Sequence, residues 1–424
     1  MRTHARRPVM MLFAVSAFLA VAVAVARDQR VLAQTAAGPP SNDPVALLAR
    51  QMERGETSLE FRPGSGYLRS LLDRLDVNVD SQVLVFSKTS FQQALISPRA
   101  PRAIFFNDKV AVGSVQNGDV FELVAVDPDR GLNFYTLSVR QSDTPQFQRR
   151  GVECAFCHAP GNHGVPGLVV ASVIPNAEGL PFFSGTFFNT TDHRTPFEQR
   201  WGGWYVTGAH GSQTHLGNAV APDLDRPADL DQSGTQNLAT LAGRFDATNY
   251  LAPTSDLVAL MTLEHQAGMT NYMTRIAWQF ERAQRFAMTD SAARSLDEVI
   301  DEMVRYMLFV DEAPLREAAN GVSTFAKTFP QRGPRDRQGR SLRDFDLQTR
   351  LFRYPLSYLV YSEAFDRLPA GIRRRVYQRL FDVVTGVDTS KQFLSLSAAD
   401  RRAVFEILLD TKRDLPDYWR STTQ

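Results

Sequence analysis

The sequence predicts an α+β protein: a β-rich N-terminal lobe and a haem-binding middle region, followed by an α-helical C-terminal lobe. Three observations predict it. From Val83 to Val139 short apolar runs alternate with turn signals, the pattern of an antiparallel meander. From Ser255 onward apolar residues recur at helical spacing. Between these regions lie both cysteines of the chain and all of its histidines except His4 and His265.

Residues 1–26 have the pattern of a secretory signal peptide. Arg2, Arg6 and Arg7 precede an apolar run, Val9 to Ala26, broken only by Ser16, and Ala24-Val25-Ala26 offers a small-x-small cleavage site. Val31-Leu32-Ala33 offers a second. The expected location is therefore periplasmic or otherwise exported. The alternative is an uncleaved membrane anchor, since about 18 apolar residues approach the shortest span of a bilayer. No cysteine follows the run, which excludes a lipoprotein, and no later stretch is apolar enough to span a membrane.

Residues 27–44 read as a polar linker, rich in Gly, Pro and Ser from Ala37 to Pro44. The β-rich lobe is assigned to 45–150. It opens with a short helix at Val45–Arg54, stopped by Gly55. Its strands are expected at Leu84–Phe86, Ala103–Phe106, Val110–Val112, Val120–Val126 and Phe134–Val139. Asn107-Asp108, Gln116-Asn117-Gly118 and Asp127-Pro128-Asp129-Arg130-Gly131 supply the turns.

Residues 151–250 form the middle region. Two further β-like runs, Leu168–Val173 and Pro181–Phe183, precede an aromatic, glycine-rich segment at Arg200–Gly211 and a long polar loop at 217–250. The helical lobe is assigned to 251–424. Leu257, Met261, His265, Gly268, Tyr272, Ile276 and Phe280 share one face at about 100° per residue. Ser295-Leu296-Asp297-Glu298 has the form of a capping box before Val299, Met303, Met307 and Val310. Further helices are expected at 341–352, 356–366, 369–385 and 397–412.

The chemistry concentrates in Cys154-Ala155-Phe156-Cys157-His158. C-x-x-C-H is the attachment signature of a c-type haem. Two thiols three positions apart can form thioethers with the vinyl groups of one porphyrin, and the following histidine lies where it can ligate the iron. The competing readings of C-x-x-C are a thioredoxin-like pair, half a zinc site or a disulfide. There is no second cysteine pair for zinc, no βαβ context for a thioredoxin, and a disulfide here would close only a tiny loop. One covalently attached haem c is expected, held by Cys154 and Cys157 with His158 as proximal iron ligand.

The sequence leaves the distal side of the iron unassigned. His210, His215, His265 and His193 are the candidates for a distal ligand or a distal acid–base group. His265 lies on an apolar helical stripe between Met261 and Met269, where a satisfied core histidine is the competing reading. The two methionines are more often core filler than ligands. His163, five residues after His158, is too near in sequence to cross the ring. Arg149, Arg150, Arg194 and Arg200 could pair with haem propionates.

Without residues 1–26 the chain carries 44 basic and 46 acidic residues, a net charge of −2. That argues against a nucleic-acid partner, which would want a basic face. A redox partner protein is expected instead.

Several specific runs carry a resemblance across most of the mature chain. They are Ile96-Ser97-Pro98-Arg99-Ala100-Pro101-Arg102-Ala103-Ile104-Phe105-Phe106-Asn107, Thr191-Asp192-His193-Arg194, Arg200-Trp201-Gly202-Gly203-Trp204-Tyr205, Leu263-Glu264-His265-Gln266 and Asp344-Phe345-Asp346-Leu347-Gln348-Thr349-Arg350. In these the chain resembles large secreted bacterial cytochrome c domain-containing proteins. The resemblance implies an exported haem protein without implying a reaction. The chain departs from small c-type cytochromes, in which the motif stands near the start of a compact helical domain and a methionine ligand follows.

Two functions are consistent with this. The first is electron transfer by six-coordinate iron. The alternative is a haem-dependent peroxidase or oxygenase with an open distal site and a distal base.

Overall fold

A computed structural model describes residues 41–159, 162–182, 188–222, 226, 229–285 and 289–421. The expected signal peptide, and the linker up to residue 40, lie outside the described residues. Within them the protein is α+β, with a seven-stranded antiparallel sheet in its N-terminal part and helices in its C-terminal half. Among the described residues no helix is long and apolar enough to cross a membrane.

The chain enters through a buried polar knot. Ser41 and Asp43, expected to belong to the linker, are docked. Asp43 Oδ1 accepts from the N–H groups of Val45 and Ala46 and so caps helix α1 (Pro44–Glu53). Its other oxygen accepts from Ser41, Asn133 and the Tyr135 hydroxyl. Helix α2 (Leu68–Arg74) follows.

The meander comprises β1 (Val83–Val85), β2 (Arg102–Phe106), β3 (Val110–Ser114), β4 (Val120–Asp127) and β5 (Gly131–Ser138). Each pairs with its predecessor, as the alternating runs require. Two strands without a strong pattern of their own complete the sheet. β6 (Phe147–Arg150) pairs with β5, and β9 (Trp204–Tyr205) covers the free edge of β1, giving the order β6-β5-β4-β3-β2-β1-β9. The middle region thus contributes to the sheet of the N-terminal lobe. β7 (Ala171–Val173) and β8 (Phe188–Thr190) form a separate two-stranded ribbon.

The sheet has two buried faces, because strand side chains alternate. Leu84, Ala103, Phe105, Val112, Phe121, Leu123, Tyr135 and Leu137 point into a core with α1 and α2. Val83, Val85, Phe106 and Trp204 point the other way, into the large core of the helical lobe. Toward β4 this second face is less enclosed: Glu122 and Val124 are half-buried, while their partners on β5, Thr136 and Phe134, are buried.

Helix α4 (Leu257–Arg285) is the spine of that core. Asp256 caps it through Oδ1, and its Oδ2 accepts from the N–H groups of Val322 and Ser323, so one buried carboxylate ties the helix start to a distant loop. Residues Leu257 to Ala267 are all buried, as expected for a helix enclosed on every side. Gly268 permits a close crossing: a Cβ there would lie 2.0 Å from the Tyr306 hydroxyl on α5 (Asp290–Met307).

Helix α5 begins more than a turn before the expected capping box. Ser295–Glu298 therefore lie inside it, a correction to the expected start. The expected helix at 341–352 is absent. That stretch is a chain of turns, in which Asp346 Oδ1 accepts from the N–H groups of Gln348, Thr349 and Arg350. An aspartate that satisfies nearby backbone donors outcompetes helix formation locally. Around 356–366 only short helical turns form, at Tyr358–Tyr361 and Glu363–Asp366. The last two expected helices are α6 (Ala370–Val384) and α7 (Ala398–Thr411).

Candidate functional site

The C-x-x-C-H run forms a short helix of its own, α3 (Val152–His158), directly after edge strand β6. Glu153 in its first turn suits the positive end of the helix dipole. Cys154 and Cys157 stand at i and i+3, one helical turn apart and on one side of the helix. Both are free thiols, Cys154 half-buried and Cys157 exposed. Burial, with help from the carboxylates of Glu153 and Glu122, pushes the Cys154 thiol up to about 11. A thioredoxin-type nucleophile needs the opposite shift, toward thiolate at neutral pH. This environment does not favour dithiol exchange.

His158 closes the helix, and its hydrogen bonds define its tautomer. Its Nδ1 lies 2.7 Å from the carbonyl oxygen of Gly167. A carbonyl only accepts, so Nδ1 carries the proton and Nε2 keeps a lone pair, which is the tautomer of a metal ligand. The N–H of Gly167 returns a bond to the His158 carbonyl at 3.0 Å, so both polar groups of Gly167 are spent on this residue. Phe134 of β5 packs on the imidazole, ring centroids 4.7 Å apart. Burial lowers the pKa of His158, which keeps the ring neutral at pH 7. Arg102 and Glu122 form an ion pair at 2.7 Å, near enough to act on the charge of His158. Gly113 makes that pair possible: a Cβ there would lie 2.5 Å from Arg102 Nη2.

The other candidate histidines form two pairs away from these contacts. His193 and His265 approach through their Nδ1 atoms at 3.1 Å, and His265 Nε2 lies 2.8 Å from Ser357 Oγ. Both nitrogens of His265 are therefore engaged. Tyr306 and Phe309 pack against both rings. The Nε2 of His193 is buried without a partner among the described residues. The satisfied core residue is the better description of His265.

His210 and His215 pack ring to ring, centroids 4.8 Å apart, beside Phe197 and Trp201. Here the backbone supplies donors rather than acceptors. Asn237 N–H points at His210 Nε2 at 3.1 Å, and Gly217 N–H at His215 Nδ1 at 3.0 Å. Those nitrogens must hold lone pairs, so the protons sit on His210 Nδ1 and His215 Nε2, both buried without an acceptor among the described residues. A protonated nitrogen is no ligand. In this arrangement the pair offers hydrogen-bond donors, not metal ligands. Burial lowers both pKa values, that of His215 to about 3.

His163 is exposed in a turn. The four arginines have partners. Arg200 is buried and pairs with Glu264 at 3.2 Å, and burial raises the Glu264 carboxyl to about 7. Arg194 pairs with Asp192 at 2.6 Å. Arg149 bonds Asn133, and Arg150 bonds Thr136 and Gln148.

Sequence reasoning missed Gly167, Phe134 and the Arg102–Glu122 pair. Only a glycine close after the motif could have hinted at the first. Among the described residues no three His, Cys, Asp or Glu side chains come together as a cage for a metal ion. Comparison with protein families, curated proteins and solved structures returns no match.

Proposed function

We propose that the chain is an exported mono-haem c-type cytochrome, with haem held by thioethers to Cys154 and Cys157 and His158 as proximal ligand. The observation that carries the reading is the hydrogen bond from His158 Nδ1 to Gly167. It presents the Nε2 lone pair one residue after two free thiols that share a helical turn. A bound haem would supply a one-electron couple between two iron oxidation states. The chain's own residues would hold the imidazole neutral and fixed in rotation. Buried Phe134, packed on the imidazole, and half-buried Val124 beside it would offer apolar surface next to the ligand.

Electron transfer with a redox partner protein is the first reading of the activity. A specific observation favours keeping a second, a peroxidase- or oxygenase-type oxidoreductase with an open distal site. Of the four distal candidates, His265, His210 and His215 have their nitrogens engaged or protonated and are poorly suited to fill the sixth iron position; only His193 keeps a nitrogen, Nε2, that has neither a partner among the described residues nor a proton assigned by its neighbours.

The test is production of the full chain in a bacterial host with the haem-attachment machinery. Haem staining after denaturing electrophoresis and intact mass then report covalent attachment. Low-spin iron inert to peroxide supports the carrier. High-spin iron that reacts with peroxide supports the enzyme. A chain without covalent haem sinks both readings.

A further inference from the structure

The carbonyl that orients His158 does not stand alone. Asn271, on α4 of the helical lobe, grips the next residue from both sides. Its Oδ1 accepts the N–H of Leu168 at 2.7 Å, and its Nδ2 donates to the carbonyl of Leu168 at 2.8 Å. A side-chain amide bonded twice to one residue acts as a short piece of β-ladder and fixes the orientation of the adjoining peptide. That peptide carries the Gly167 carbonyl.

The fit leaves no room for a side chain at 167. A Cβ on Gly167 would lie 2.7 Å from Asn162 Cβ and 2.8 Å from Asn271 Oδ1. One turn further along α4, Thr274 anchors the same loop differently. Its hydroxyl accepts from Asn162 Nδ2 at 3.4 Å and donates to the Asn271 carbonyl at 3.1 Å. Asn271 therefore addresses the peptide that faces His158, and Thr274 the start of the loop.

We propose that Asn271 is a positioning residue for the iron ligand, acting through Gly167 on the proton at His158 Nδ1. The inference rests on the haem reading above. A firmly held acceptor at Nδ1 makes an imidazole more electron-rich, which strengthens its bond to ferric iron and lowers the reduction potential. Loosening the acceptor does the reverse. The helical lobe thereby gains a direct role at the proximal ligand, which a haem segment and sheet alone would not supply.

The experiment uses the purified holoprotein in three forms: wild type, Asn271→Leu and Thr274→Val. Asn271→Leu removes both bonds to Leu168 at similar volume, whereas Thr274→Val removes only the loop anchor. Asn271→Leu is expected to raise the midpoint potential by an amount near a tenfold change in the redox equilibrium, about 59 mV for one electron. Where the ferrous iron is five-coordinate, it is also expected to lower the iron–imidazole stretching frequency in the resonance Raman spectrum; in a six-coordinate protein the potential alone is read. Thr274→Val is expected to leave both near wild type, even where both variants lower Tm. Asn271→Ser serves if Asn271→Leu does not accumulate, since its side chain is too short to span both groups of Leu168. Haem present with potential and stretch unchanged, or shifted equally in Thr274→Val, overturns the positioning role alone. Wild-type chain without covalent haem overturns the haem reading first, and this inference with it.

Discussion

His158 and His215 belong to the same stretch of chain, and their surroundings differ in one decisive respect. The backbone offers His158 a carbonyl and His215 an N–H. The first leaves a lone pair on the far nitrogen; the second leaves a proton there. Both rings are held neutral by burial. Charge therefore does not separate them, and a histidine count could not. The polarity of one hydrogen bond turns one imidazole into a candidate ligand and the other into a buried donor. A histidine cluster in a sequence is not yet a metal site.

Substitution at the two positions is the strongest way to break this comparison. His158→Ala in the full chain is expected to remove the proposed proximal ligand. Covalent haem yield should fall several-fold, with any remaining haem showing an altered Soret band. His215→Phe is expected to leave haem yield and spectrum unchanged while lowering stability. The comparison fails if His215→Phe disturbs the Soret band as much as His158→Ala does. Haem staining and absorption spectra of the two variants, prepared in parallel, check it.

The second test uses pH and stability. The folded-state pKa of His215 is about 3, below the ordinary value of 6.5. Between those values the unfolded chain binds the extra proton, so stability contributed by this neutral ring is present above 6.5 and is lost as pH falls toward 3. His210, His193 and His265 are lowered by burial and act in the same direction. Glu264 and Glu312 oppose them. Their carboxyls are raised to about 7, so they favour the folded state below about 4.5 and withdraw support as pH rises toward 7. Replacing His215 by Gln isolates one contribution. The fall in unfolding free energy between pH 7 and pH 4 should shrink by up to about 3 kcal/mol relative to wild type. Urea titrations at the two pH values measure it. An unchanged pH slope would show that His215 is not held neutral.

The parts of the fold that were legible in the sequence are those with a local cause. The meander was readable because each strand alternates and each turn carries Asn, Asp or Gly. Helix α4 was readable from its spacing. The stretch 341–352 misled because its apolar spacing is helical while Asp346 binds the backbone ahead of it. β6 and β9 were missed because Phe147–Arg150 and Trp204–Tyr205 are too short to show a period, and only the sheet edges they cover call for them. The site divides in the same way. Cys154, Cys157 and His158 announce themselves within five residues. Asn271 lies more than a hundred residues further on, in a run indistinguishable from any other helical face, and only the folded chain brings it to Leu168. The direction of the bonds at His210 and His215 depends on which backbone groups face them, which no spacing encodes.

The smallest expected effect concerns the charges beside His158. Arg102 reaches across β3 to Glu122 because residue 113 has no side chain. Gly113→Ala puts a methyl group where the guanidinium lies, and Arg102, a flexible side chain, must move. The backbone has no need to shift, so the loss in stability should stay near the worth of one partly buried ion pair, about 1 kcal/mol. Glu122 still accepts from Gln92 Nε2 at 3.0 Å and remains near Cys154 and His158 with its positive partner displaced. In the proposed haem protein an uncompensated negative charge near His158 would favour ferric iron, so the midpoint potential should fall, opposite in sign to the shift expected for Asn271→Leu. Removing the carboxylate as well, in Gly113→Ala/Glu122→Gln, should return it toward wild type. Redox titration of the two variants decides the matter. A fall that persists in the double variant would mean that the methyl group acts on the strand itself rather than through the ion pair. The surroundings of His158 would then differ from those of His215 in hydrogen-bond polarity alone.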